Sequence, residues 1–123
     1  MELNPYPDFF PVGVPADTAD DAHGEAYRLV KNNPPTSSDF YAYHLDKVNP
    51  KPVPSASDCG TSMFRRRESI AAMKAISKPL KNRMIAIGTL ENHFGKVSKE
   101  RHDSHFEAWL RLNTGIENNF EVN

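Results

Sequence analysis

The sequence predicts a single α+β domain with a mainly antiparallel sheet, one well-defined helix at about residues 66–78 and an irregular, proline-rich N-terminal arm. Three observations lead to this fold class. Nine of the ten prolines lie within residues 1–54, where they exclude long helices and central strands. After residue 55, segments with strand-like alternation surround one stretch of helical period. A chain of 123 residues with 38% hydrophobic residues is long enough for one modest core.

Composition and charge exclude several classes of protein. The net charge of −1 argues against bulk attraction to nucleic acid or to an anionic membrane. No apolar run reaches the roughly 18 residues that a membrane span needs, and the N-terminus lacks the basic-then-apolar order of a signal peptide. The single cysteine, Cys59, excludes an intrachain disulfide and indicates a reducing compartment. We therefore expect a soluble cytoplasmic protein with no membrane association.

In the first half, residues 1–22 are expected to form the irregular arm, with Phe9, Phe10 and Val12 turned toward the core. Residues 25–31 alternate in a way that slightly favours a strand. Residues 36–39 offer several helix N-caps before residues 40–45, which are either a short helix or a strand. Prolines at positions 50, 52 and 54 predict an extended linker.

In the second half, residues 59–64, 84–90, 95–98 and 104–110 are predicted strands. The helix at about residues 66–78 places Ser69, Ala72, Met73 and Ile76 on one side, and Pro79 ends it. Residues 25–110 are the expected folded core. Residues 113–123 are expected to be an irregular tail.

Charge is concentrated in two segments. Residues 1–25 hold six carboxylates and no Lys or Arg, whereas residues 65–83 hold seven cations and only one carboxylate. One interpretation is two solvated faces, with the acidic arm lying on the basic segment. The other is that the basic segment binds a phosphate-rich ligand and that the arm competes with it.

Few motifs indicate chemistry. The chain has no glycine-rich phosphate loop, no paired-cysteine zinc spacing and no Gly-x-Ser-x-Gly elbow. His102 and His105 have His-x-x-His spacing, but on a strand they point to opposite faces, so no metal site is predicted. His105, Glu107 and Trp109 would share one face of a strand. They form either a polar pocket with an aromatic wall or simply the exposed side of a strand whose other face lines the core.

Two nucleophiles and one aromatic cluster are ambiguous. Cys59 near the cations at 65–67 has either a lowered thiol pKa or the role of a small buried residue. Ser62 is either a strand hydroxyl or a reactive, ligand-binding one. Phe40, Tyr41 and Tyr43 offer surfaces for base stacking, but no Lys or Arg lies between residues 32 and 46, so core packing is favoured.

The segments Cys59–Phe64, Ile85–Leu90, Gly95–Val97 and Ser104–Phe106 resemble a group of short, uncharacterised bacterial proteins over roughly residues 25–110. That group has no assigned activity, so the resemblance implies no functional residues. More distantly, the chain resembles ADP-ribosyltransferase-like folds, which order an Arg or His on an early strand, a hydroxyl on a central strand and a late Glu. Here the resemblance implies Arg28 or His44, then Ser62, then Glu107.

Two functional hypotheses follow. The first is a protein-binding or accessory module that needs no cofactor, with Arg66 and Arg67 in the partner-binding surface. The alternative is an ADP-ribosyltransferase-like enzyme that uses nicotinamide adenine dinucleotide, NAD. In it Arg28 binds a phosphate, Ser62 positions the ribose and Glu107 stabilises the developing positive charge. His105 and Trp109 are further candidates for contact with a ligand.

Overall fold

A computed structural model describes residues 2–47 and 49–123 and shows one curled, seven-stranded antiparallel sheet with few helices, which confirms the predicted fold class. The order across the sheet is β1-β5-β6-β3-β2-β4-β7. The strands are β1 (Asp20–Asp21), β2 (Gly24–Val30), β3 (Thr61–Phe64), β4 (Met84–Leu90), β5 (Gly95–Val97), β6 (His105–Leu110) and β7 (Phe120–Val122). The α-helices are the single turn α1 (Tyr43–Asp46) and the longer α2 (Arg67–Ile76).

The two halves of the sheet meet between β2 and β3. β2 pairs with β4 along its whole length, from Gly24–Leu90 to Val30–Met84. β3 pairs with β6 over four residues, Thr61–Phe64. In the described part of the chain, the only pair that joins β2 to β3 is Tyr27–Phe64. The sheet therefore splays beyond that pair, and side chains fill the opening.

The sheet has a large core on one face and a small one on the other. The core face buries alternate residues such as Ala26, Met63, Ala86 and Phe106, all at most 1% exposed. On the outer face, Leu29, Phe64 and Ile85 pack against Ile70 of α2. The predicted alternation of β2 and β4 is confirmed, because successive side chains of a strand point to opposite faces.

The helix lies where the sequence predicted it, but a different side of it is buried. Ile70 is 1% exposed, and Ala71 and Leu80 pack beside it. Ala72 is exposed, Met73 is 36% exposed and Ile76 is 81% exposed. Ile70 occupies most of the small space on the outer face of the sheet. The apolar residues that the helical period predicted to be buried, Ala72, Met73 and Ile76, are therefore exposed to solvent.

The N-terminal arm is irregular over residues 2–19, as predicted, but it is bound to the far end of the chain. The backbone N–H of Leu112 donates to the carbonyl of Pro5 at 2.8 Å, and the Asn4 side chain donates to the carbonyls of Leu112 and Asn113. Phe9 and Phe10 are half-buried, whereas Val12 is fully exposed. The last residues of the predicted arm, Asp20 and Asp21, form β1 beside β5.

The prediction of an irregular tail at 113–123 is wrong. A 3-10 turn at Ile116–Asn119 leads into β7, which pairs with β4 from Ala86–Val122 to Gly88–Phe120. Phe120 is 4% exposed, and its ring lies 4.9 Å from that of Phe40. β7 forms because β4 offers it an unpaired edge, which the sequence of the tail does not show.

The proline-rich middle of the chain is ordered by two polar contacts. Thr36 and Asp39 form a capping box around a 3-10 turn at Ser37–Phe40, which precedes α1. Lys47 pairs with Asp58 at 2.7 Å, and this hydrogen bond holds the pKa of the Asp58 carboxyl well below its usual range. Across residues 2–47 and 49–123, no helix has both the length and the hydrophobicity to cross a membrane.

Candidate functional site

The strands that carry the candidate residues are neighbours, in the order β6-β3-β2. Ser62 pairs with Glu107, and Phe64 pairs with His105, so these side chains share the outer face. Along β6 the core-facing residues are buried and the others are half-buried. The prediction that His105, Glu107 and Trp109 project from one face is therefore confirmed.

Ser62 and His105 form a hydroxyl–imidazole pair on this face. Ser62 Oγ lies 2.6 Å from His105 Nε2, and Ser62 is exposed. Burial lowers the pKa of His105, and the nearby positive charge of Arg101 lowers it further. A neutral imidazole at this distance is able to accept the Ser62 proton, which is the first requirement for a nucleophilic serine.

The pair lacks the group that completes a catalytic triad. Nδ1 of His105 is buried and has no hydrogen-bond partner in the described residues. The nearby carboxylate of Asp103 instead accepts a hydrogen bond from the backbone N–H of His105, at 3.0 Å. An imidazolium would consequently be left with an unsatisfied buried N–H. The pair lacks the carboxylate that, in a catalytic triad, accepts a hydrogen bond from Nδ1 and stabilises the charged ring.

Glu107 and Trp109 bind the preceding segment at 55–60 of the chain and do not line an open pocket. Glu107 accepts a hydrogen bond from the Ser57 hydroxyl at 2.9 Å, and the Trp109 indole N–H donates to the carbonyl of Ala56 at 2.9 Å. A Cβ on Gly60 would lie 2.9 Å from Glu107 Cβ. The segment at 55–60 therefore covers these two side chains, and the pocket predicted beside them is filled.

Arg28 lies on the other side of the sheet. Its pairing partner on β4 is Ala86, a core-face residue, whereas Glu107 faces outward with Ser62. His44, the alternative to Arg28, lies in α1 and contacts the ring of Phe9 at 4.8 Å. Arg28, Ser62 and Glu107 consequently do not meet in one cleft, and the residue set implied by the transferase resemblance is not assembled.

Arg28 instead closes the opening between β2 and β3. Its Nε donates to the carbonyl of Asp39 at 2.9 Å, and its Nη1 donates to the carbonyl of Ser62 at 2.9 Å. Burial lowers the pKa of Arg28 to about 10, opposed mainly by the charge of Asp46. The guanidinium stays charged at neutral pH and bridges two elements whose backbones are not paired with each other.

Replacing Arg28 by methionine is expected to lower the free energy of unfolding by about 2 kcal/mol, because the carbonyls of Asp39 and Ser62 lose a charged donor. Arg101→Met, at an exposed position, is the control and is expected to change it by less than about 0.5 kcal/mol. Urea unfolding followed by fluorescence of Trp109 measures both changes. Equal stabilities for the two variants would contradict the bridging role.

The position of Cys59 bears on the two alternatives for its thiol. Cys59 is 1% exposed, and burial raises the pKa of its thiol, as do the carboxylates of Asp58 and Glu107. Of the two alternatives for Cys59, the small buried residue is therefore supported and the lowered thiol pKa is not. In the part of the chain described, no group of three His, Cys, Asp or Glu side chains is arranged to hold a metal ion.

The basic segment, residues 65–83, is largely uncompensated by carboxylates. Of its seven cations, Arg66 alone is in an ion pair within the described ranges, with the exposed Glu68 at 3.6 Å. Arg66 and Arg67 also donate to the backbone carbonyls of His102 and Asn123. The acidic arm meets this segment through Arg65, which binds the carbonyls of residues 23 and 25 but none of the arm's carboxylates.

Sequence reasoning missed a cavity at the end of the core. It has a volume of about 460 Å³ and lies between the N-terminal arm, the turn at 37–45 and the loop at 110–117. Its walls come from segments that are distant from one another in the chain, so no local pattern signals it. The half-buried Phe9 and Phe10 were the one available indication, as apolar residues in an otherwise irregular arm.

No family model, curated protein or solved structure matches this chain. Function is therefore inferred from the geometry of its own residues. Three features are available for that purpose: the unsupported Ser62–His105 pair, the apolar and basic surface of α2, and the cavity. Of these, the surface of α2 combines the two properties that partner-binding surfaces need, exposed apolar area and unpaired charge.

Proposed function

We propose that the protein is a binding module that captures a protein partner through the exposed side of α2. The observation that carries the proposal is Ile76, which is 81% exposed on a helix whose buried side is occupied by Ile70. Ala72 and Met73 extend the exposed apolar stripe. A contiguous apolar stripe on a surface helix is costly to leave in water and marks a contact site.

The positive charge of the segment around α2 indicates a partner with an acidic surface. The segment 65–83 that contains the helix has a balance of six positive charges, and its lysines at 74, 78 and 81 are in no ion pair within the residues described. A partner surface with carboxylates around an apolar depression would match both features. Attraction between opposite charges accelerates such an encounter, and the apolar contact slows its dissociation.

Arg66 and Arg67 lie at the N-terminal end of the same helix, Arg66 at its N-cap and Arg67 as its first residue. Each guanidinium has five N–H donors, and the contacts to His102 and Asn123 use one donor of each. Nε of Arg66 faces the exposed Glu68 at 3.6 Å, and the remaining donors of both side chains are available to carboxylates of a partner. Fixing the two side chains in advance lowers the entropy that binding has to remove.

Capture of a partner is expected to fall at least about tenfold in an Arg66→Glu/Arg67→Glu variant and in Ile76→Asp. Lys51→Glu and Val53→Asp are matched controls, because Lys51 is an exposed cation and Val53 is 72% exposed and aliphatic, both in the proline-rich linker. Quantitative affinity capture from the source cell, with all variants in parallel, measures the effect. A captured protein is accepted as a partner only if its capture falls in the α2 variants and is unchanged in the two linker controls.

Capture that is unchanged in both α2 variants would contradict the proposal. So would equal losses in the α2 variants and in the linker controls, because that result would indicate non-specific adhesion. Melting temperatures taken beside the capture distinguish a lost contact from a lost fold, and exposed positions such as Ile76 are expected to leave stability within about 0.5 kcal/mol.

A further inference from the structure

The cavity has the size and lining of a small-molecule site. Its volume of about 460 Å³ falls within the range of about 300–1,000 Å³ that is common for ligand pockets. Phe9 and Phe10 of the arm form one wall, Phe40 and Leu45 a second, and Leu110 with Ile116 a third. Aromatic and branched side chains on several sides suit a compact apolar molecule.

Unsatisfied polar atoms are concentrated around this cavity. Oγ1 of Thr114, which lines it, is buried without a hydrogen-bond partner in the described residues. The hydroxyl of Tyr6 and Nδ1 of His44 are in the same state, and these residues stack on Phe10 and Phe9. Thr61, by contrast, also lines the cavity and donates to the carbonyl of Phe40 at 3.0 Å. Buried polar groups normally have partners, so Thr114 is the group left for a ligand.

Charge limits the ligand further. Arg111 and Glu117 are the charged residues among the described lining, and their charges cancel. The Arg111 guanidinium donates to the carbonyl of Asn4 at 2.8 Å and lies over the ring of Tyr6. Because the charges of Arg111 and Glu117 balance, an ionised ligand would lose its hydration without a net opposite charge in the lining, and this is unfavourable.

We propose that this cavity binds a compact, neutral, ring-containing molecule with one hydroxyl or carbonyl group, which hydrogen-bonds to Thr114 Oγ1 while the ring packs between the phenylalanines. The N-terminal arm forms the wall over the ligand. This site is separate from the α2 surface, so the proposal of ligand binding is tested independently of the proposed capture of a protein partner.

The test uses three probes of one shape: 1-naphthol, naphthalene and 1-naphthoate. Each is titrated into isotope-labelled protein, and backbone amide shifts are recorded. We expect 1-naphthol to saturate and to shift amides in the ranges 37–45 and 110–117. Its dissociation constant is expected to be about tenfold lower than that of naphthalene, because one hydrogen bond to a buried group is gained. The carboxylate of 1-naphthoate is expected to prevent binding.

Two variants locate the contact. Thr114→Val removes the hydroxyl while keeping the shape, and it is expected to weaken 1-naphthol about tenfold and to leave naphthalene unchanged. Thr89→Val, at an exposed position of β4, is the control and is expected to change neither. Ala42→Leu fills the cavity from a buried lining position and is expected to abolish the binding of both neutral probes.

The proposal fails if 1-naphthol gives no saturable shifts in the two lining ranges, or if its shifts lie elsewhere. It also fails if naphthalene binds as tightly as 1-naphthol, because the hydrogen bond to Thr114 would then contribute nothing. Equally tight binding of 1-naphthoate would contradict the requirement for a neutral ligand. Should Thr114→Val not fold, the comparison of the three probes with wild type and Ala42→Leu decides the outcome alone.

Discussion

Gly95→Ala is expected to lower the free energy of unfolding by about 4 kcal/mol or more, close to the whole stability of an ordinary domain. Gly95 begins β5 with a φ of 146°, a region that other residues rarely adopt. A Cβ there would overlap the backbone carbonyl of Trp109 on β6. The obstacle is the backbone of the paired strand, so neither strand is able to move without breaking the pairing of β5 with β6.

Gly13→Ala is the matched control. Gly13 also has a positive φ, 86°, but a Cβ built on it meets nothing within 4 Å. This variant carries the backbone strain without the overlap and is expected to lose about 1 kcal/mol. Urea unfolding followed by fluorescence of Trp109, the single tryptophan, reports both variants. Similar losses at the two positions would show that β5 shifts to accommodate the methyl group.

The sequence predicted five of the seven described strands, β2 to β6, and the longer helix. β2, β4 and β6 alternate between two chemical environments, and α2 has a helical period followed by proline, so each was identified from local chemistry. β1 and β7 have two and three residues, and each exists because a longer strand offers an edge. No local pattern specifies a strand whose stability comes from its neighbour.

The orientation of predicted elements depends on what they pack against. The helical period of α2 grouped Met73 with Ile76, but the outer face of the sheet accepts Ile70, because Leu29, Phe64 and Ile85 surround that position. The arm was correctly predicted as irregular. Its attachment to Leu112 through Pro5 joins residues 107 positions apart, and such a contact leaves no signal in either segment.

The candidate site was predictable only within single strands. The alternation of side chains along β6 places His105, Glu107 and Trp109 on one face, and this alternation depends on the strand alone. The approach of Ser62 to His105 depends on the register of β3 against β6, and the separation of Arg28 from Glu107 depends on the register across three strands. Register between distant strands is fixed by the assembled core, which one sequence does not display.

Asp39→Asn is expected to lower the free energy of unfolding by about 3 kcal/mol at pH 7, because a buried charged acceptor is replaced by a group with two donors. The carboxylate of Asp39 is 5% exposed and accepts hydrogen bonds from the backbone N–H groups of Lys31 at 2.7 Å and Thr36 at 2.9 Å, and from the Asn32 side chain at 3.2 Å. These bonds connect the end of β2 to the turn that supports Phe40. An amide nitrogen in place of one oxygen would face donors and repel them.

The pH dependence distinguishes the loss of the charge from a general loss of packing. Burial raises the pKa of Asp39, but the bonds from Thr36, Lys31 and Asn32 outweigh it and lower the pKa overall. The unfolded state, with a pKa of about 3.9, binds the proton first, so the stabilisation by Asp39 is complete above about pH 5. It is lost as the pH falls through the lower folded pKa.

The difference between wild type and Asp39→Asn should therefore narrow as the pH falls from about 5 to about 2, while Asp17→Asn, at an exposed carboxylate, should differ from wild type by less than about 0.5 kcal/mol throughout. Urea unfolding at successive pH values measures both differences. A difference at Asp39 that stays constant with pH would mean that the lost shape of the site, rather than the carboxylate charge, destabilises the variant.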